Sequence, residues 1–158
     1  MKQHIQKLVR SVLAEDVGAG DLTAALIPVQ AQAEARLICR ESAILCGQSW
    51  FDEVFVQTDA QVEIDWQIDE GETMAPDQTV CLIRGNARSI LTAERSAINL
   101  LQTLSGTATT ARHYADHLQG LNTRVLDTRK TIPGLRLAQK YAAKTGGAAN
   151  HRVGLYDG

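Results

Sequence analysis

Two pairs of neighbouring cations lie near the C-terminal end of the sequence: Arg129-Lys130 in "LDTRKTIPG" and His151-Arg152 in "AANHRVGL". Each pair stands beside a short apolar segment. Cations held this close repel one another, and the repulsion is relieved when a multiply charged anion lies between them. Arginine suits planar carboxylates and phosphates through its fork of donors, and lysine adds a mobile point charge. A histidine can donate a hydrogen bond or share charge. The residue types therefore point to a site for a dianion or a pyrophosphate. A solvated basic corner is the plainer alternative for any one such pair, and the spacing alone does not choose between them.

Charge along the chain is divided in the same sense. Of the 158 residues, those up to Leu121 carry nine Lys or Arg against sixteen Asp or Glu, while those from Asn122 onward carry seven against two. A formal net charge of −2 thus hides an acidic body and a basic tail. The tail's cations alternate with apolar sequence, which makes an anion site the sharper reading, but charge asymmetry alone does not displace the solvated one. A nucleic-acid surface is disfavoured, because only 4% of the residues are aromatic and the body would repel phosphate. No stretch approaches the ~20 apolar residues that a membrane span needs. The start, "MKQHIQKLVRSVLAEDVG", lacks the apolar core of a secretory signal. Cys39, Cys46 and Cys81 sit in apolar runs without metal-ligand spacing, so they are expected as buried reduced thiols in a cytoplasmic protein. His113 and His117 are one helical turn apart but have no third ligand nearby, and no metal site is assigned to them.

The elements that must position these residues follow from periodicity. Ile5, Leu8, Val9, Val12 and Leu13 predict an amphipathic helix over about 2–15. Asp21 or Thr23 is placed to cap a short turn in "EDVGAGDLTAALIP". "EARLICR" and "AILCG" read as short strands, and "QSWFDEVFVQT" as a helix with Trp50, Phe51, Val54 and Phe55 inward. "AQVEIDWQIDEGETM" alternates as a half-solvated antiparallel strand turning at Asp69-Glu70-Gly71, and "QTVCLIRG" supplies another. A long helix is predicted from Arg88 to about Leu118, with Gly106 as a close-packing point or a break. After "GLNTR" the pattern changes to strand, helix, strand: "RVLDT", then "PGLRLAQKYAAK" begun by Pro133 and ended at Gly146-Gly147, then "AANHRVGL". Arg136, Lys140 and Lys144, four apart, read as a solvated helix face.

The expected architecture is an α+β N-terminal domain, an open-faced sandwich with an antiparallel sheet, over 1–115. The start of a parallel α/β barrel follows over 116–158. One or two βα units cannot close a barrel, so the second domain is expected to be truncated. In parallel α/β folds ligands bind at the carboxyl ends of strands, which is where Arg129-Lys130 fall.

The segment "LDTRKTIPGLRLAQKYAAKTGGAANHRVGL" resembles the signature of the quinolinate phosphoribosyltransferases, the carboxylating nicotinate-nucleotide pyrophosphorylases. "LAEDVGAGDLT" and "LTAERSAINLLQTLSGTAT" agree with it, so the resemblance spans essentially the whole chain. Ala148 and Ala149 stand where the family often has another glycine, and Gln139 where an acid is more usual. The resemblance implies transfer of phosphoribosyl from 5-phosphoribosyl 1-diphosphate to quinolinate with decarboxylation. The products are nicotinate mononucleotide, carbon dioxide and pyrophosphate. It implies substrate-binding roles for Arg129, Lys130, His151 and Arg152, and for Arg95 a reach into the site of a neighbouring subunit of a homodimer. It also implies Mg2+ bound with the diphosphate, its ligands in barrel sequence beyond this chain, so that the 158 residues alone are expected not to turn over. A paralogue acting on another pyridine carboxylate remains the alternative, as does a non-catalytic anion- or nucleic-acid-binding role. A lipoyl- or biotinyl-carrier module would need a lysine at a hairpin tip, and there is none between Lys7 and Lys130.

Overall fold

A computed structural model describes residues 1–157. Helix α1 (Lys2–Val17) leads through a 3₁₀ turn (Ala24–Leu26) to strand β1 (Gln32–Ile38). Next come β2 (Ala43–Ile44), α2 (Gln48–Thr58), β3 (Glu63–Trp66), β4 (Thr73–Met74) and β5 (Thr79–Asn86). The long α3 (Ala87–His117) and the short α4 (Arg136–Thr145) complete the described elements. The predicted elements up to residue 118 are all present, with α2 over the same residues as expected and α1 two residues longer than expected.

Three strands form an antiparallel sheet in the order β1-β5-β3, and β2 pairs with β4. In the register Ala35, Ile83 and Ile64 lie in one row across the sheet. Because side chains alternate across a strand, the neighbouring row falls on the other face: Glu34, Arg84 and Glu63. That row is exposed, with Arg84 and Glu34 paired at 3.0 Å. The sheet is therefore open on one face, and the apolar face is covered by helices. Trp50, Phe51, Val54 and Phe55 of α2 are 0–1% exposed and form the centre of the core with Leu45, Val80, Cys81 and Leu104. The Phe51 ring meets Trp66 of β3 edge-on at 5.2 Å. Glu70, at the expected turn, accepts from the backbone N–H groups of Gly47 and Gln48 and so satisfies orphan donors at the start of α2.

Helix α3 is held at its start by Asn86, whose side-chain oxygen accepts from the Arg88 and Ser89 amides. Its buried stripe runs through Ile90, Ala93, Ala97, Leu101, Leu104, Ala108 and Ala111. Ser105 and Thr109 on the same helix accept from the backbone of Cys46 and Ile44, tying β2 down. Gly106 neither breaks nor tightens this helix: α3 is continuous, and a Cβ there would meet nothing within 4 Å.

The last part of the chain departs from expectation in two places. The strand expected at "RVLDT" is a single parallel bridge between Leu126 and Ala149, because among the described residues the only backbone–backbone hydrogen bonds between the two segments are Asp127 N–H to Ala149 O (3.0 Å) and Ala149 N–H to Val125 O (2.8 Å). The pairing is parallel, as a βαβ unit requires. Pro133 lies outside the helix that it was expected to begin. Ile132 to Leu135 close a turn, with the Leu135 amide 3.0 Å from the Ile132 carbonyl and Gly134 at φ 83°, and α4 starts at Arg136. Proline followed by a positive-φ glycine is the sequence that such a turn requires. Gly146 ends α4 as expected.

Candidate anion-binding site

Segments 125–130 and 149–153 are joined at the Leu126–Ala149 bridge, and α4 lies between them in the chain. Arg136 donates to the carbonyls of both Arg129 (3.3 Å) and Val153 (3.2 Å). Lys140 donates to Asp127 Oδ1 (2.5 Å) and to the His151 carbonyl (2.9 Å). The expected solvated face of Arg136, Lys140 and Lys144 is thus corrected: of the three only Lys144 is exposed. Helical spacing missed this because α4 is covered on two sides. Ala138 and Ala142 are fully buried, and the two rim segments cover Lys140, which is 3% exposed.

The predicted ligand residues Lys130, His151 and Arg152 have exposed side chains, and Arg129 is half-buried. Asn150, His151, Arg152 and Asp157 line an open groove of about 480 Å3. Asp157 is engaged there with the Val153 amide at 2.8 Å. The Nε of Arg129 is shut off from solvent and has no hydrogen-bond partner among the described residues. A guanidinium donor in that condition costs free energy until an acceptor reaches it. The structure therefore brings four of the five predicted residues onto two adjacent segments of one rim.

Arg95 lies apart from them. It is exposed on the first half of α3, and no ion pair to Glu94 or any other acid holds it among the described residues. Ala108, which lies against Gly146 at the end of α4, is thirteen residues further along α3, roughly 20 Å along the helix at 1.5 Å per residue. That is farther than an arginine side chain extends, so Arg95 does not reach this crossing. Asp21 is its acidic neighbour. The Asp21 carboxyl is held below the usual range, chiefly by the Ala24 N–H, then by the Thr92 hydroxyl, the Thr23 N–H and the Arg95 charge, with desolvation opposing. Asp21 also fulfils the expected cap, accepting from the Thr23 and Ala24 amides at 2.9 Å each.

Asp127 was missed as a functional residue. It accepts from Lys140 and from the His151 amide (2.7 Å), and the Asn150 amide nitrogen, turned inward, reaches its second oxygen at 3.1 Å. The available signal was its isolation: it is the only acid from Asn122 to Tyr156, among seven Lys and Arg. No group of three or more His, Cys, Asp or Glu suited to a metal occurs among the described residues. With Asp127 committed to Lys140 and Asp157 to a backbone amide, this region does not fit a magnesium site.

Two family models match the chain. Residues 21–105 match the quinolinate phosphoribosyl transferase N-terminal domain, and residues 107–158 match the C-terminal domain of the same family. Among curated proteins, the probable carboxylating nicotinate-nucleotide pyrophosphorylase of Synechocystis is 40% identical over 145 residues, covering 92% of this chain and 49% of the relative. The Bacillus subtilis protein of the same description is 36% identical over 154 residues, covering 98% and 53%. Among solved structures, the nicotinate-nucleotide pyrophosphorylase of Francisella tularensis superposes with a TM-score of 0.95 at 44% identity, over 99% of this chain and 56% of that one. A Streptococcus pyogenes structure gives 0.95 at 38% identity, over 99% and 56%. The chain thus spans about half the length of the relatives it matches.

Proposed function

The chain belongs to the quinolinate phosphoribosyltransferase family, and we propose that the full-length protein carrying it converts quinolinate and 5-phosphoribosyl 1-diphosphate to nicotinate mononucleotide, pyrophosphate and carbon dioxide. The observation that supports this most is that the segments carrying Arg129-Lys130 and His151-Arg152 are joined by the Leu126–Ala149 bridge and by Arg136, with a buried Arg129 donor lacking an acceptor among the described residues. Quinolinate carries two adjacent carboxylates on a planar ring, and guanidinium forks match that geometry. Donors fixed in a partly dry site stabilise charge more than water does, and they need no reorganisation as the reaction proceeds.

The ring nitrogen's lone pair forms the bond to the ribose anomeric carbon, and the bond to the diphosphate oxygen breaks with its electrons leaving on pyrophosphate. The nitrogen becomes cationic. The bond from the adjacent ring carbon to its carboxylate then breaks. Carbon dioxide departs, the electron pair stays on the ring carbon beside the positive nitrogen, and a proton completes the product. The four rim residues orient the dianion and hold the carboxylate that is retained. Magnesium, when bound with the diphosphate, supplies charge neutralisation of the leaving group, and its protein ligands are not among these rim residues.

Arg95 is proposed to act in the site of a second subunit, as the family resemblance implies, and its exposed side chain with no ion pair among the described residues is compatible with that role. The protein is proposed to be a homodimer on that ground and to act in the cytoplasm. No helix among the described residues is long and apolar enough to cross a membrane. The test is an assay of the full-length protein with 5-phosphoribosyl 1-diphosphate and a panel of pyridine carboxylates. Nicotinate mononucleotide from quinolinate is the expected product. Turnover of a monocarboxylate with none of quinolinate would contradict the reading and favour a paralogous transferase.

A further inference from the structure

Two ion pairs occur among the described residues, and they differ in setting. Arg84–Glu34 is exposed, with side chains 48% and 58% accessible, whereas Lys140–Asp127 is buried at 4% and 3%. A buried pair is a poor way to stabilise a fold, because removing both charges from water costs several kcal/mol. Apolar residues of similar volume often do as well. Stability alone does not account for this pair.

What the pair does, and an apolar pair could not, is occupy both backbone polar atoms of one residue. Asp127 Oδ1 accepts the His151 N–H at 2.7 Å, and Lys140 Nζ donates to the His151 carbonyl at 2.9 Å. The two partners come from opposite directions, Asp127 from the first rim segment and Lys140 from α4. Asn150 adds a third tie, its inward amide nitrogen 3.1 Å from both Asp127 Oδ2 and the Lys140 carbonyl. The side chains of His151 and Arg152, by contrast, stand in solvent. A peptide tied at both its N–H and its carbonyl thus carries one exposed side chain and precedes another.

We infer that the Asp127–Lys140 pair is a positioning device, fixing the His151 peptide so that His151 and Arg152 meet a dicarboxylate in one geometry. Neither group touches the substrate: both are closed off beneath the rim. The role rests on the dicarboxylate reading above. Pre-set donors lose less freedom on binding than donors ordered by the ligand itself, so the device acts on affinity for the dianion.

The test uses a full-length family protein whose residues 1–158 are this sequence, carrying Asp127→Leu with Lys140→Met. The double variant is expected to fold with a Tm close to wild type, to lose hydrogen-exchange protection at the His151 amide, and to show a quinolinate KM raised ~10-fold or more. The KM for 5-phosphoribosyl 1-diphosphate should change far less. Asp127→Asn, which keeps an oxygen for the His151 amide, should raise the quinolinate KM by a smaller factor. An unchanged quinolinate KM in a folded double variant overturns the inference and leaves the function standing. A double variant that does not fold makes the pair a stability element and also overturns it, unless Asp127→Asn folds and shows the selective KM rise. A wild-type protein inert toward quinolinate removes the function first, and the inference with it.

Discussion

Gly146 and Ala108 lie so close across the α3–α4 crossing that a Cβ on Gly146 would overlap the Ala108 carbonyl oxygen and stand 2.7 Å from the Ala111 Cβ. Arg112 closes the same seam, donating to the carbonyls of Gly146 (3.2 Å) and Thr145 (3.4 Å) at the C-terminal end of α4. The rim is mounted on α4, so this crossing sets where the rim stands relative to the N-terminal sheet.

Gly146→Ala is expected to destabilise the chain by about 2 kcal/mol, since the obstructing atoms are backbone and a second helix's Cβ. Gly106→Ala, on the open side of α3, should instead stabilise by about 0.5–1 kcal/mol through helix propensity. Denaturant melts of the two variants beside wild type check both signs.

The thiols give a chemical reading of burial. Burial pushes Cys46 and Cys81 up from an ordinary 9.0 to about 12, with nearby carboxylates adding to the effect. The thiolate is the nucleophile, so in native protein at a pH near 8 iodoacetamide should label Cys39 alone, and all three only after denaturation. The folded state holds these protons more tightly than the unfolded one. Stability is therefore complete below the unfolded thiol value and should fall as pH rises from 9 toward 12. A melting temperature that stays flat over that window would contradict the buried setting.

Arg95→Ala in the full-length protein is expected to raise the quinolinate KM at least ~10-fold with the fold unchanged, as loss of a charged contact to the substrate would. Kinetics indistinguishable from wild type would exclude Arg95 from the site. Mixing this variant with an Arg152→Ala variant should restore activity in mixed dimers if each site draws Arg95 from its neighbour. No recovery would argue against the shared site.

Sequence periodicity reached much of this structure because most elements bury one face. The β3 alternation and the α2 apolar cluster each have a single solvated side, so period and burial coincide. The tail is where that correspondence fails. Helix α4 is enclosed on two sides, so the four-residue spacing of Arg136 and Lys140 suggested solvent where the structure has carbonyls and a carboxylate. The Val125–Thr128 segment is apolar enough for a strand, but it has one bridged partner here, and strand assignment requires a ladder. The rim cations were legible by type and position. Their support by Asp127 was not, because it depends on which residue a lone acid meets after the chain has turned through α4.

The central claim is that the two basic pairs cradle a pyridine dicarboxylate, and a crystal structure of the full-length protein with quinolinate tests it most directly. The account expects the two carboxylates between Arg129-Lys130 and His151-Arg152, with an acceptor oxygen at the Arg129 Nε. Quinolinate bound elsewhere, with these four side chains turned to solvent, would contradict it.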